Sequence, residues 1–114
     1  MAASTFQVLE VAISLVPLLK EPLEQLANRN PPLTDQLRRA VESIPFNIAE
    51  GNRRVGRDRL HVWRMAAGSA DEARTALRVA IGWGQVREPE VAPALSVCDR
   101  VLAMLGRLTT PRQA

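Results

Sequence analysis

The chain contains no tyrosine, one cysteine, one histidine and two phenylalanines in 114 residues. A lone cysteine, Cys98, cannot close an internal disulfide or build a zinc cage, so cysteine usage does not point to an oxidising compartment. A lone histidine, His61, cannot supply a multi-histidine metal site. No long hydrophobic run is present: the stretch from Val11 to Leu19 falls far short of the ~20 residues that span a bilayer. The first charge is Glu10, so the start lacks the basic region of a secretory leader. No segment alternates apolar and polar residues with period two, which argues against strands. The glycines match no phosphate-loop pattern, because the run Gly82-Trp83-Gly84 ends a helical segment rather than opening one after a strand. Together these absences predict a soluble cytoplasmic protein with no cofactor, no metal and no membrane partner.

What is present is mostly helix former and arginine. Hydrophobic residues make up 46% of the chain, enough for one folded domain across 1–114. There are 15 Lys+Arg against 12 Asp+Glu, a net charge of +3, and Lys20 is the only lysine. Residues 53–64 hold five arginines, Arg53, Arg54, Arg57, Arg59 and Arg64, against one aspartate. That short stretch more than accounts for the net charge. Arginine stays ionised at any working pH, and its planar fork fits phosphate or carboxylate.

Three breaks rich in Gly, Pro or Asn (28–32, 51–56 and 82–89) separate four segments of helical periodicity. The helices are predicted over about 4–27, 34–51, 58–83 and 90–108, with a loose tail at 109–114. Ser4 is the expected cap of the first and Thr34 or Asp35 that of the second. In the first, Phe6, Leu9, Ile13, Val16, Leu23 and Ala27 form one apolar seam, and Val8, Ala12, Leu15, Leu19 and Leu26 a second beside it. Pro17 and Pro22 predict a kink or local break there, and Pro45 a bend in the second helix that frees the carbonyl of Val41. The third helix has a small-residue stripe, Val62, Ala66, Ser69, Ala73, Ala76, Ala80 and Trp83, and a second seam of Trp63, Ala70, Leu77 and Ile81. In the fourth, Val91, Leu95, Cys98, Val101 or Leu102, Leu105 and Leu108 form a heptad-like stripe. Four helices on short connections predict an antiparallel up-and-down four-helix bundle. Double seams on two helices exceed what one bundle covers, which predicts a homo-oligomer.

Two constellations could carry function. The first is the arginine cluster, a candidate phosphate-binding surface for RNA or DNA. Its opposing reading is a solvated face, or one paired within the assembly. The second is a set of polar residues beside the apolar stripes: Arg39, Ser43, Asn47 and Glu50 on the second helix, Ser69 and Glu72 on the third. Glu50 with Glu72 could be a catalytic carboxylate pair. No histidine, metal cluster or cofactor motif gives such a pair a task, so the set is read as a structural polar network that fixes helix register, in which Glu72→Ala costs stability. His61 reads as a surface residue, and Trp63 and Trp83 as packing anchors.

Residues 38–51, with the pattern Arg-Arg-Ala-x-x-Ser-Ile-Pro-x-Asn-Ile-Ala-Glu-Gly, resemble the hallmark of the bacterial four-helix-bundle family named for the intervening sequences of 23S ribosomal RNA genes. A second matching block is Ala67-Gly68-Ser69 with Glu72. The resemblance covers about 33–83. It departs in the first helix, where the usual aromatic-rich start is reduced to Phe6 and two prolines are added. The resemblance implies a small bundle assembled as a homopentamer, without enzymatic activity. It also implies kinship to the accessory variability protein of diversity-generating retroelements, a basic pentamer that binds a reverse transcriptase and nucleic acid. Arg39, Ser43, Asn47, Glu50, Ser69 and Glu72 match the family pattern. The resulting expectation is a non-enzymatic homo-oligomeric scaffold for RNA, DNA or a nucleic-acid enzyme. The alternative is a protein–protein adaptor whose arginines pair internally.

Overall fold

The computed structural model describes residues 4–110, which form four helices and no strand. These are α1 (Thr5–Arg29), α2 (Pro31–Asn52), α3 (Gly56–Gly82) and α4 (Glu88–Thr109). Residues 111–114 of the expected tail lie outside the described residues, and Thr109, expected to be loose, is the last residue of α4. No helix among the described residues is long and apolar enough to cross a membrane.

The helix ends follow local chemistry. Ser4 caps α1 as expected: its Oγ accepts from the Gln7 N–H at 3.1 Å, and Gln7 Oε1 accepts from the Ser4 N–H at 2.9 Å. The start of α2 departs from expectation. It begins at Pro31, and the cap is Asn30, whose Oδ1 accepts from the Leu33 N–H at 3.2 Å. Proline suits the first helical positions, where its missing N–H has no partner to lose. The pair Pro31-Pro32 therefore opens a helix instead of forming a break, and Thr34 turns its hydroxyl onto the Asn30 carbonyl at 2.9 Å. Likewise α4 starts before Pro89, with Glu88 and Glu90 in its positive first turn. Gly84, at φ +70°, closes α3: its N–H donates to Ile81 and that of Gln85 to Ala80, each at 2.9 Å.

Pro17 and Pro22 sit inside an unbroken α1, and Pro45 inside an unbroken α2. Pro17 and Pro22 leave unpaired the carbonyls of Ile13 and Leu18, residues that face solvent, where water can take the place of the lost N–H.

Each helix packs on the two beside it, giving the cycle α1–α2–α3–α4. The connections are so short that consecutive helices must run antiparallel. The rod measures 49 × 23 × 20 Å. One apolar cluster joins all four helices, with Leu15, Leu19, Leu37, Ile44, Ile48, Leu77 and Leu105 fully buried. On α1 the inward seam is Val8, Ala12, Leu15, Leu19 and Leu26, whereas Phe6, Ile13 and Val16 of the other seam face solvent. On α3, Ala66, Ala70, Ala73, Ala76 and Ala80 are buried and let α2 and α4 approach closely. Trp83, expected in that stripe, is 71% exposed, because it lies past the last turn of α3, beyond the reach of the core. Cys98 is buried, and loss of water pushes its thiol up to about 11, foremost of the causes acting on it.

A close contact joins Trp63 of α3 to the end of α2. The indole is buried, and its Nε1–H donates to the Ile48 carbonyl at 3.2 Å. It lies close against the backbone of Gly51, where an added Cβ would sit within 3.0 Å of the ring. Replacing glycine by alanine inside a helix ordinarily gains up to ~1 kcal/mol. Gly51→Ala is expected to do the opposite, costing about 1–3 kcal/mol as the indole is forced out of place. Chemical denaturation of the two proteins measures the difference, and an alanine variant as stable as the parent refutes the close fit.

Candidate functional site

Two polar regions flank the α2–α3 contact. The first is a seam midway along the helices. Ser43 Oγ and Ser69 Oγ lie 2.7 Å apart, and Asn47 Nδ2 donates to both the carbonyl and the hydroxyl of Ser43 at 3.0 Å. All three residues are half-buried. The seam opens into a shallow groove of about 300 Å³, at whose sides stand Arg39 and Glu72. Of the six residues expected to form one network, the structure joins Ser43, Asn47 and Ser69. It leaves Arg39 and Glu72 exposed at the groove. Glu50 is turned away to Arg54, at 3.2 Å. Glu50 and Glu72 therefore belong to separate clusters, one paired with a cation and one facing water. The reason is geometric: Glu72 sits one turn past Ser69 but at the rim of the contact, where solvent already satisfies it.

The second region is the turn between α2 and α3, residues 53–55, with the first turns of α3. Arg54 bonds Asp58 at 2.8 Å and Glu50 at 3.2 Å. Asp58 first, then Glu50, raises its guanidinium above the ordinary value. Arg59 donates to the carbonyls of Gly51 and Asn52, both at 3.2 Å, and stacks over the Trp63 ring at 5.5 Å. Arg64 reaches the Thr109 carbonyl at the end of α4, at 3.1 Å. Three of the five arginines thus close the turn and tie three helices together. Arg53 and Arg57 are exposed at its outer edge.

Two features were not singled out from sequence. Arg74 bridges α3 to Asp99 of α4 at 2.8 Å and also bonds Asp71 at 3.1 Å. An apolar groove of about 490 Å³ runs between α1 and α2, floored by Val16, Leu19, Leu23 and Val41 and edged by Lys20 and Arg38. No group of three or more metal-ligating side chains occurs among the described residues.

The model of the family described as 23S rRNA-intervening sequence protein matches residues 5–107, which includes every part of both regions. Among solved structures, the chain is similar to a protein of unknown function from the S23 ribosomal protein family of Bacteroides thetaiotaomicron. The TM-score is 0.81 at 18% identity, over 91% of this chain and 99% of that one. No curated protein matches the chain.

The seam and the groove make opposite demands. Ser43→Ala and Ser69→Ala should each destabilise the fold, and a double-mutant cycle should give a coupling of about 0.5–1.5 kcal/mol. Glu72→Ala, against the expectation from sequence, should change stability by less than ~0.5 kcal/mol. Thermal melts of the four variants check both statements.

Proposed function

The chain belongs to the 23S rRNA-intervening sequence protein family, and from that premise we propose that it is a non-enzymatic helical scaffold that works as a homo-oligomer. The observation that carries this reading is the apolar surface left on α1. Ile13 and Val16, one turn apart, are exposed, and Val16 continues into the groove that α1 forms with α2. Met65 and Val79 of α3 add exposed apolar area on another side. Contiguous apolar surface of this kind marks association sites. The resemblance to the pentameric accessory variability protein of diversity-generating retroelements supports a ring of five. The two glutamates once considered as a catalytic pair stand in separate surroundings, which favours a scaffold over a hydrolase.

The second element of the reading is contact with RNA or DNA at the arginine-rich turn. Arg53 and Arg57 support it, being exposed where the local charge is highest. The internal bonds of Arg54, Arg59 and Arg64 favour the adaptor alternative in the same measure, since those guanidinium groups already have partners.

Light scattering on the purified protein should give a mass several times 12.5 kDa. A species of that mass alone refutes self-association. Binding to labelled RNA and DNA across salt concentrations tests the other element. Arg53→Ala with Arg57→Ala should lower the slope of log affinity against log salt by ~1.4 on single strands and ~1.8 on duplex DNA. Absence of binding at low salt, or binding indifferent to both changes, leaves the adaptor reading.

A further inference from the structure

The fold brings a third arginine-bearing surface to the same end of the rod as the turn. At that end α1 begins, α2 ends, α3 begins and α4 ends. A groove of about 460 Å³ lies there between α1 and α4. Phe6 lines it and is 68% exposed. Arg100 and Arg107 of α4 line the same groove, and Met104 provides an apolar floor. Arg64 of α3 reaches the Thr109 carbonyl at 3.1 Å, two residues beyond Arg107 in the chain.

An exposed aromatic ring flanked by two guanidinium groups is the arrangement that holds an unpaired nucleotide. The ring offers a face on which any base can stack, and the cations hold the phosphates on either side. A base inside a duplex is already stacked on both faces and cannot use the ring. The groove volume lies within the range of sites that hold a nucleotide-sized ligand. Gln7 and Glu10 at its edge offer an amide and a carboxylate to the base.

We propose that the groove between α1 and α4 is a binding site for single-stranded nucleic acid, in which a base stacks on Phe6 while Arg100 and Arg107 hold the adjoining phosphates. The proposal rests on the nucleic-acid element of the function given above and narrows it to unpaired strands. It also adds residues that lie 47 positions before the Arg53–Arg64 cluster (Phe6) and 36 and 43 positions after it (Arg100 and Arg107).

The test uses fluorescence anisotropy at low salt, with labelled oligouridylate and with a duplex of the same length. Phe6→Leu keeps the apolar bulk and removes the aromatic face; Phe6→Trp restores a face. The wild type should bind the single strand more tightly than the duplex. Phe6→Leu should weaken single-strand binding about 5-fold or more, leave duplex binding as it was, and be rescued by Phe6→Trp. Arg100→Ala with Arg107→Ala should lower the single-strand salt slope by ~1.4. Far-UV circular dichroism melts establish that the variants fold, as an exposed ring near the start of α1 allows. A Phe6→Leu protein that binds the single strand like wild type overturns the proposal, and so does an equal loss on both ligands. A change in oligomer mass with no change in single-strand affinity assigns Phe6 to a contact between copies and also overturns it. If the wild type binds neither ligand, the nucleic-acid element itself falls, a result distinct from any pattern among the Phe6 variants.

Discussion

Most of this molecule's arrangement depends on how closely α2 and α3 can approach at one end. Gly51 offers bare backbone, and the Trp63 indole lies against it while donating to Ile48. A Cβ at position 51 would occupy space the ring already fills. The alanines of α3 keep the two helices close along the rest of their length. Because that approach is tight, the connection between them needs only 53–55. The turn is then stiffened by groups that the same approach brings within reach: Arg59 on the carbonyls of Gly51 and Asn52, and Arg54 between Glu50 and Asp58. A glycine chosen for its lack of a side chain thus determines where the arginines of the next ten residues stand.

Magnitudes separate the roles of the polar groups. Exposed ion pairs such as those of Arg54 are screened by water, so they orient the turn more than they stabilise the fold. The short contact between the hydroxyls of Ser43 and Ser69 is half-buried, and losing one partner there leaves the other hydroxyl poorly satisfied. That asymmetry makes the serine seam a register device, since sliding either helix by one turn would part the hydroxyls. Glu72 carries no such penalty, because water solvates it in the folded chain as in the unfolded one.

The helices themselves were legible in the sequence, since apolar positions three and four apart leave little choice over segments this long. Their starts were less so. Proline reads as a breaker, yet at Pro31 it occupies a position where a missing N–H costs nothing, as Pro89 does near the first turn of α4, where the sequence placed it. Asn30 closes α1 and opens α2 at once, leaving a single residue between helices where five were expected to form a break. The choice between the two seams of α1 was not legible, because both are apolar and only the positions of α2 and α4 decide which turns inward. The same holds for Glu72, one turn from a half-buried serine but past the edge of the contact. The groove holding Phe6 and Arg107 was hidden for a related reason: it exists only because the bundle closes, bringing the end of α4 back beside the start of α1.

Apolar and basic surfaces are segregated on this rod, and that segregation lets the two elements of the proposed function coexist. Ile13 and Val16 lie along one flank of α1, whereas Arg53, Arg57 and Arg107 stand toward one end of the rod. Copies associating side by side through the flank would leave their basic ends free and pointing the same way if the assembly is cyclic. A charge of +3 is modest on one chain, but a ring of five would carry about +15, much of it on one face. Each chain would then contribute a weak contact to a polyanion long enough to touch several. Once the first contact is made the others act at high effective concentration, so affinity builds from repetition and not from any one site. On the proposed reading mild basicity would suit an assembling chain: a more basic one would repel its own copies, and a neutral one would gain nothing from them.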